Sequence, residues 1–152
     1  MDIGGEYRIR ASQETVWNAL NDPEALKACL AGCEKMERLS ETEFKALVLA
    51  KVGPVQARFS GAVTLSDVDP PRAYTITGQG QGGVAGFVKG SARVTLHDDG
   101  GTTVLRYDAK ADVGGKLASV GNRLIQGAAD KIIGGFFEKF TLWLGAEAST
   151  PL

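Results

Sequence analysis

The stretch GGKLASVGNRLIQGAADKIIGGFFEKFTLWL, Gly114 to Leu144, decides how the rest of the chain is read. Leu117, Leu124, Ile125, Ile132, Phe136 and Trp143 recur at steps of three, four or seven, while Arg123, Gln126, Asp130 and Glu138 cluster opposite them. That pattern predicts one long amphipathic helix. At the centre of its apolar face stand Gly121, Ala128 and Gly135, at seven-residue spacing, where a helix built only to fill a core would carry Leu or Ile. Each glycine costs the helix up to ~1 kcal/mol relative to alanine. Either another backbone comes very close to this line, or the space beside it belongs to something else.

Upstream, the chain supplies what such a helix would cover. Glu6 to Arg10 alternates as a first strand. Ser12 is an N-cap candidate for a short helix carrying Val16, Trp17 and Leu20, and Asp22-Pro23 opens a second with Leu26, Cys29 and Leu30 facing inward. From Glu34 the period changes to two. Glu34 to Leu39, Glu43 to Val52, Val55 to Val68, Arg72 to Gly78, Gly83 to His97 and Thr102 to Val113 are the strand candidates, divided by Gly, Pro, Asp and Ser turns. Short connections imply antiparallel hairpins, and the long helix carries the one broad apolar stripe able to cover their apolar face. The expected class is α+β: a curved, seven-stranded antiparallel sheet, two short helices after the first strand and a long C-terminal helix.

With 152 residues, 43% of them hydrophobic, the chain is expected to be a single domain over 1–148 with a short tail over 149–152. Its 17 basic and 18 acidic residues give a net charge of -1 without a basic run, which argues against nucleic acid as a partner. The N-terminus lacks the apolar stretch of a signal peptide, and Lys131, Glu138 and Lys139 interrupt the longest apolar segment. A cytoplasmic location is expected, with a peripheral position at the inner face of the cell membrane left open. Cys29, Cys33 and a single, distant histidine do not make a zinc ligand set, so no metal is expected.

Strand parity bears on the small residues of the helix. Val55, Ala57, Phe59, Gly61, Val63 and Leu65 share one face of their strand, as do Val84, Gly86, Val88, Gly90, Ala92 and Val94 of another and Leu105, Tyr107, Ala109 and Ala111 of a third. Many of these inward positions are small and would face Gly121, Ala128 and Gly135. An interior packed to about 0.74 density must close such a layer or hold a ligand in it. Glycine kinks in a curved sheet explain Gly61, Gly86 and Gly90 equally well. The residues by themselves leave both readings open.

Other motifs carry less. Gly78-Gln79-Gly80-Gln81-Gly82-Gly83 fits G-x-G-x-x-G, but a strand rather than a helix follows it. Gly114-Gly115-Lys116 precedes a helix without the phosphate-loop spacing. His97 sits on the outward parity beside a turn, without a nucleophile near it, so no catalytic residue is expected. Tyr7, Tyr74 and Tyr107 are polar points in an apolar interior, open to a structural hydrogen bond or to a ligand. Phe137 and Leu144 lie off the main stripe; they are scattered surface apolars or a small contact patch for a partner or membrane.

Gly53-Pro54-Val55, Asp69-Pro70-Pro71, Gly86-Phe87-Val88-Lys89-Gly90 and above all Gly115-Lys116-Leu117-Ala118-Ser119-Val120-Gly121-Asn122-Arg123-Leu124-Ile125, followed by Phe136-Phe137, resemble the carbon monoxide dehydrogenase G-subunit (CoxG) family. The resemblance covers nearly the whole chain. It implies the helix-grip fold of START and Bet v 1-like (SRPBCC) proteins, with a sheet and long helix around an apolar cavity. It further implies a non-catalytic accessory of a carbon monoxide dehydrogenase-type molybdenum hydroxylase, recruiting that enzyme to the membrane or linking it to the quinone pool, with a quinone or other lipid as the bound group. On this reading Phe59, Gly61, Tyr74, Gly86, Val88, Gly90, Tyr107, Ala109, Leu117, Gly121, Leu124, Ala128 and Gly135 line the cavity. Lys116 and Arg123 are expected at the sheet rim or in a protein contact. The rivals are an assembly factor acting through its surface without a ligand, and a helix-grip cyclase or hydrolase with acid or base groups inside.

Overall fold

Two side-chain caps set the first third of the chain. The Ser12 hydroxyl accepts a hydrogen bond from the Thr15 amide at 3.2 Å, opening α1 (Gln13–Leu20) directly after β1 (Asp2–Ile9). The Asp22 carboxylate accepts from the Glu24 amide at 2.9 Å, and Pro23 takes the first position of α2 (Pro23–Cys29). Val16, Ala19, Leu20, Ala25 and Cys29 are thereby buried.

The alternating segments then form β2 (Cys33–Arg38), β3 (Glu43–Val52), β4 (Val55–Asp69), β5 (Ala73–Gln81), β6 (Phe87–Asp99) and β7 (Thr102–Gly114), followed by the helix α3 (Asn122–Trp143). A computed structural model describes residues 1–145 and the backbone of 150–151. The sheet is antiparallel, in the order β2-β3-β4-β5-β6-β7-β1, and a two-residue β8 (Thr150–Pro151) adds to β1. The fold is thus the expected seven-stranded sheet with a long C-terminal helix and two early short ones. The expected domain limit at 148 falls on residues outside the described ones.

Parity holds along the strands. In β4 the burial alternates from Val55 to Leu65, with Gln56, Arg58, Ser60, Ala62 and Thr64 outward. The strand expected to end at Gly78 runs on to Gln81, and the one expected from Gly83 starts at Phe87, so the connection is 82–86. Gly78 and Gly80 keep the ladder on both sides, and a Cβ at Gly82 would stand 2.5 Å from the Phe59 ring, so this glycine makes room for Phe59.

The long helix is shorter than its sequence pattern. Residues 115–120 form a separate 3-10 turn, and Gly121, at φ 93°, breaks the path before α3 begins at Asn122. A 3-10 helix has three residues per turn, so the apolar phase counted from Leu117 does not carry into α3. The result is two cores. One joins Ile9, Val16, Phe44, Leu65, Tyr74, Val94, Leu96, Leu105, Phe137 and Phe140 around the C-terminal half of α3. The other joins Val52, Val55, Ala85, Leu117 and Ile125 near its N-terminus.

Candidate ligand cavity

Between the sheet, α2 and the C-terminal half of α3 lies a cavity of about 340 Å³. Leu20, Leu26 and Leu30 close it from the two short helices, and Ile132, Ile133, Phe136 and Phe137 from α3. Its floor is the inward face of β3 to β7, including Phe44, Val63, Leu65, Ile76, Ala92, Val94, Leu105 and Ala109. Ala92 and Ala109 are register partners across β6 and β7, so two small side chains meet on the floor. The volume falls in the range of small-molecule sites.

The wall contains two polar side chains, Tyr74 and Tyr107. Tyr74 is 4% exposed, stands edge-on to Trp17 with ring centroids 5.2 Å apart, and its hydroxyl finds no hydrogen-bond partner among the described residues. Every wholly enclosed side-chain oxygen or nitrogen among those residues is partnered, so some open space reaches this hydroxyl. A phenol so placed has lost most of the water it met in the unfolded chain, a cost a ligand oxygen would recover. Burial raises its pKa strongly, so the phenol stays protonated and able to donate. Tyr7, Phe137 and Tyr107 form a ladder of nearly parallel rings, 4.2 Å apart for Tyr7 and Phe137 and 6.3 Å for Tyr107 and Phe137. Burial raises the pKa of both tyrosines, and the nearby Asp130 carboxylate adds to it.

Of the residues expected to line a cavity, Tyr74, Tyr107 and Ala109 border this one. Phe59, Val88, Leu117 and Ala128 belong instead to the second core, around Val52, Val55, Ala85 and Ile125. Gly61 faces inward on β4 without bordering the cavity, and Gly135 has open space where its Cβ would be.

Six expected positions need correction. Gly86 lies outside the strands at φ 110°, and a Cβ there would be 2.0 Å from the Gly114 carbonyl oxygen, so its smallness serves a close backbone approach. Gly90 is similar, with the Lys110 carbonyl oxygen 2.4 Å from the Cβ position. Gly121 is an exposed residue before α3, and Leu124 is 49% exposed, leaning on the turn at Gly53. Phe137, expected at the surface, is buried against Tyr7 and Phe140, and Leu144 packs partly against the same core.

Besides floor residues of β3 to β7 such as Phe44, Leu65 and Leu105, the cavity residues that sequence reasoning did not assign to it are Leu20, Leu26, Leu30 and Met36 and the Ile132-Ile133 and Phe136-Phe137 pairs. Their signal was present, since doubled apolar residues one turn apart give a helix two apolar faces, here one toward the sheet and one toward α2. Among the described residues no Asp, Glu, His, Lys or Cys side chain borders the cavity. Among the described residues no cluster of three His, Cys, Asp or Glu side chains is placed to hold a metal ion. Cys29 is buried and Cys33 half-buried, both as free thiols whose pKa burial raises.

The comparisons with known proteins agree with this architecture. A conserved protein from Geobacillus kaustophilus is 29% identical and superposes with a TM-score of 0.87, over 97% of this chain and 98% of that one. Protein TTHA0849 from Thermus thermophilus shares the fold at 14% identity and a TM-score of 0.70, over 95% of this chain and 97% of that one. Ara h 8.0201 does so at 14% and 0.69, with the same coverage. No curated protein matches the sequence. The model of one family, the carbon monoxide dehydrogenase G-subunit (CoxG) family, matches residues 5–145, and with the helix-grip architecture and the apolar interior in place, the chain belongs to that family.

Proposed function

We propose that the protein binds a hydrophobic small molecule, a quinone or a quinone-like lipid, between its sheet and α3. It does so as a non-catalytic accessory of a carbon monoxide dehydrogenase-type molybdenum hydroxylase. In that role it links the enzyme to the quinone pool from a peripheral position at the inner face of the membrane. The observation that carries the reading is the apolar cavity with the Tyr74 hydroxyl, unpartnered among the described residues, in its wall. A ring bearing a carbonyl oxygen satisfies that donor, and an isoprenoid tail suits the Leu, Ile and Phe side chains around it. Chemistry within the cavity would need a general acid or base, and among the described residues its wall offers phenols alone, with their pKa values raised. A ligand-free assembly role through a Phe137 and Leu144 patch loses its basis, because Phe137 is buried. No helix among the described residues is long and apolar enough to cross a membrane.

Titration with a short-tailed menaquinone tests the reading through the fluorescence of Trp17, which touches Tyr74. Saturable quenching at one equivalent is expected. Quenching that rises linearly without saturation contradicts the proposal.

A further inference from the structure

The second core marks one end of the barrel. There the β3–β4 turn at Gly53-Pro54, the 82–86 connection and the 115–120 turn converge, with Val52, Val55, Ala85, Leu117 and Ile125 packed beneath them. The backbones touch as well, since Cβ atoms at Gly86 and Gly115 would run into the opposing chain at 2.0 and 2.6 Å. Over this rigid base the outer side chains are apolar. Val84, at the tip of the 82–86 connection, is 94% exposed, and Leu124 and Phe87 are partly exposed beside it.

The charges around this tip are predominantly positive. Lys51, Lys116 and Arg123 are exposed and take part in no ion pair among the described residues. The carboxylates nearest in the strand register, Asp112 and Asp2, each face a lysine across the ladder, Lys89 and Lys110. The N-terminus of α3 has no side-chain cap and adds its positive dipole end here. The opposite end of the barrel is acidic. Beyond the paired Asp69 and Asp99, its turns carry Glu41, Glu43, Asp67 and Asp98, four carboxylates against the three guanidinium groups of Arg10, Arg38 and Arg93, the last two bonded to backbone. A chain with net charge -1 therefore carries a dipole along the barrel axis, positive where the exposed apolar tip is.

We propose that this end seats on an anionic lipid bilayer, with Val84 in the headgroup–acyl boundary and Lys51, Lys116 and Arg123 on lipid phosphates. Exposed apolar residues ringed by cations are what an interfacial contact requires, and an acidic far end orients the molecule on a negative surface. The inference rests on the carrier reading for its purpose, since a quinone carrier must meet the bilayer, but the surface itself is tested separately. The contact comes from the folded domain and uses no terminal segment.

The test is cosedimentation of the full chain with vesicles of mixed phosphatidylglycerol and phosphatidylcholine, and with phosphatidylcholine alone. Binding to the anionic vesicles that weakens with salt is expected. At about fivefold per cation, Lys116→Gln with Arg123→Gln should weaken it ~25-fold. Val84→Asp should weaken it about tenfold or more, while Asp67→Asn with Asp98→Asn at the far end should strengthen it or leave it unchanged. All five side chains are exposed, so the variants should melt as the parent does. Parent chain that does not sediment, or basic-end variants that bind like the parent, overturn the proposal, as does capture of the partner oxidoreductase by this end in place of lipid. Menaquinone titration of the same samples separates the two readings: loss of vesicle binding with quenching intact indicts this surface alone, and the reverse indicts the carrier.

Discussion

The two halves of the interior use small residues for opposite purposes. Near the N-terminus of α3, Gly86, Gly90, Gly114 and Gly115 are small because a carbonyl, a backbone or the Phe87 ring already occupies the space a Cβ would take. Around the C-terminal half, Ala92 and Ala109 are small and nothing fills the space in front of them, so a cavity remains. Smallness in a sequence does not distinguish a contact from a void. What distinguishes them is whether the partner opposite is backbone or a larger side chain set farther back.

Substitutions in each half should therefore move different quantities. Leu117→Ala opens a hole in the second core and should cost about 3 kcal/mol of stability, yet leave menaquinone affinity within about twofold, because Leu117 does not border the cavity. Denaturant melts and titration together check this. Ala109→Phe does the reverse. It fills the floor, so binding should fall ~100-fold, while stability holds or rises by about 1 kcal/mol as void is removed. Should Ala109→Phe unfold the chain, the floor is already packed and the contrast between the halves fails.

Smaller effects sharpen the picture. Tyr74→Phe removes one hydrogen bond to the ligand and should weaken a carbonyl-bearing quinone by about three- to tenfold, with little effect on an apolar probe of the same size. Tyr74 also bears on alkaline stability. Its folded pKa is raised above the ordinary 10.0, so the folded state holds its proton where the unfolded chain loses it. Stability is therefore kept up to about pH 10 and falls above it, less steeply in Tyr74→Phe. The smallest change is a gain. Gly135 is helical with nothing within 4 Å of its Cβ position, so Gly135→Ala should raise stability by about 0.5 to 1 kcal/mol, visible in a thermal melt.

The strands and caps were legible because each rests on local chemistry: Ser12 and Asp22-Pro23 at the helix starts, Gly53-Pro54 between β3 and β4, and alternation along β4. The family was legible from the segment Gly115 to Ile125, which the family model includes. The cavity's position was not. Gly121 leaves the helical path, so the line Gly121, Ala128, Gly135 never forms a single face. Leu117 set a phase that belonged to another turn, and this rotated the expected face away from Phe137, which is in fact central to the core. The contribution of α2 was hidden for a different reason. That a short helix lies against both α3 and β2 at the cavity depends on how the chain folds back, not on any local pattern.

The central claim is that the apolar space between the sheet and α3 is a ligand site and not a packing defect. It is tested most directly by native mass spectrometry and organic extraction of the chain purified from its own cells, run beside Ala109→Phe. The account predicts one equivalent of an isoprenoid quinone or similar lipid in the parent chain and none in the variant. An empty parent chain that also fails to take up menaquinone saturably would contradict it.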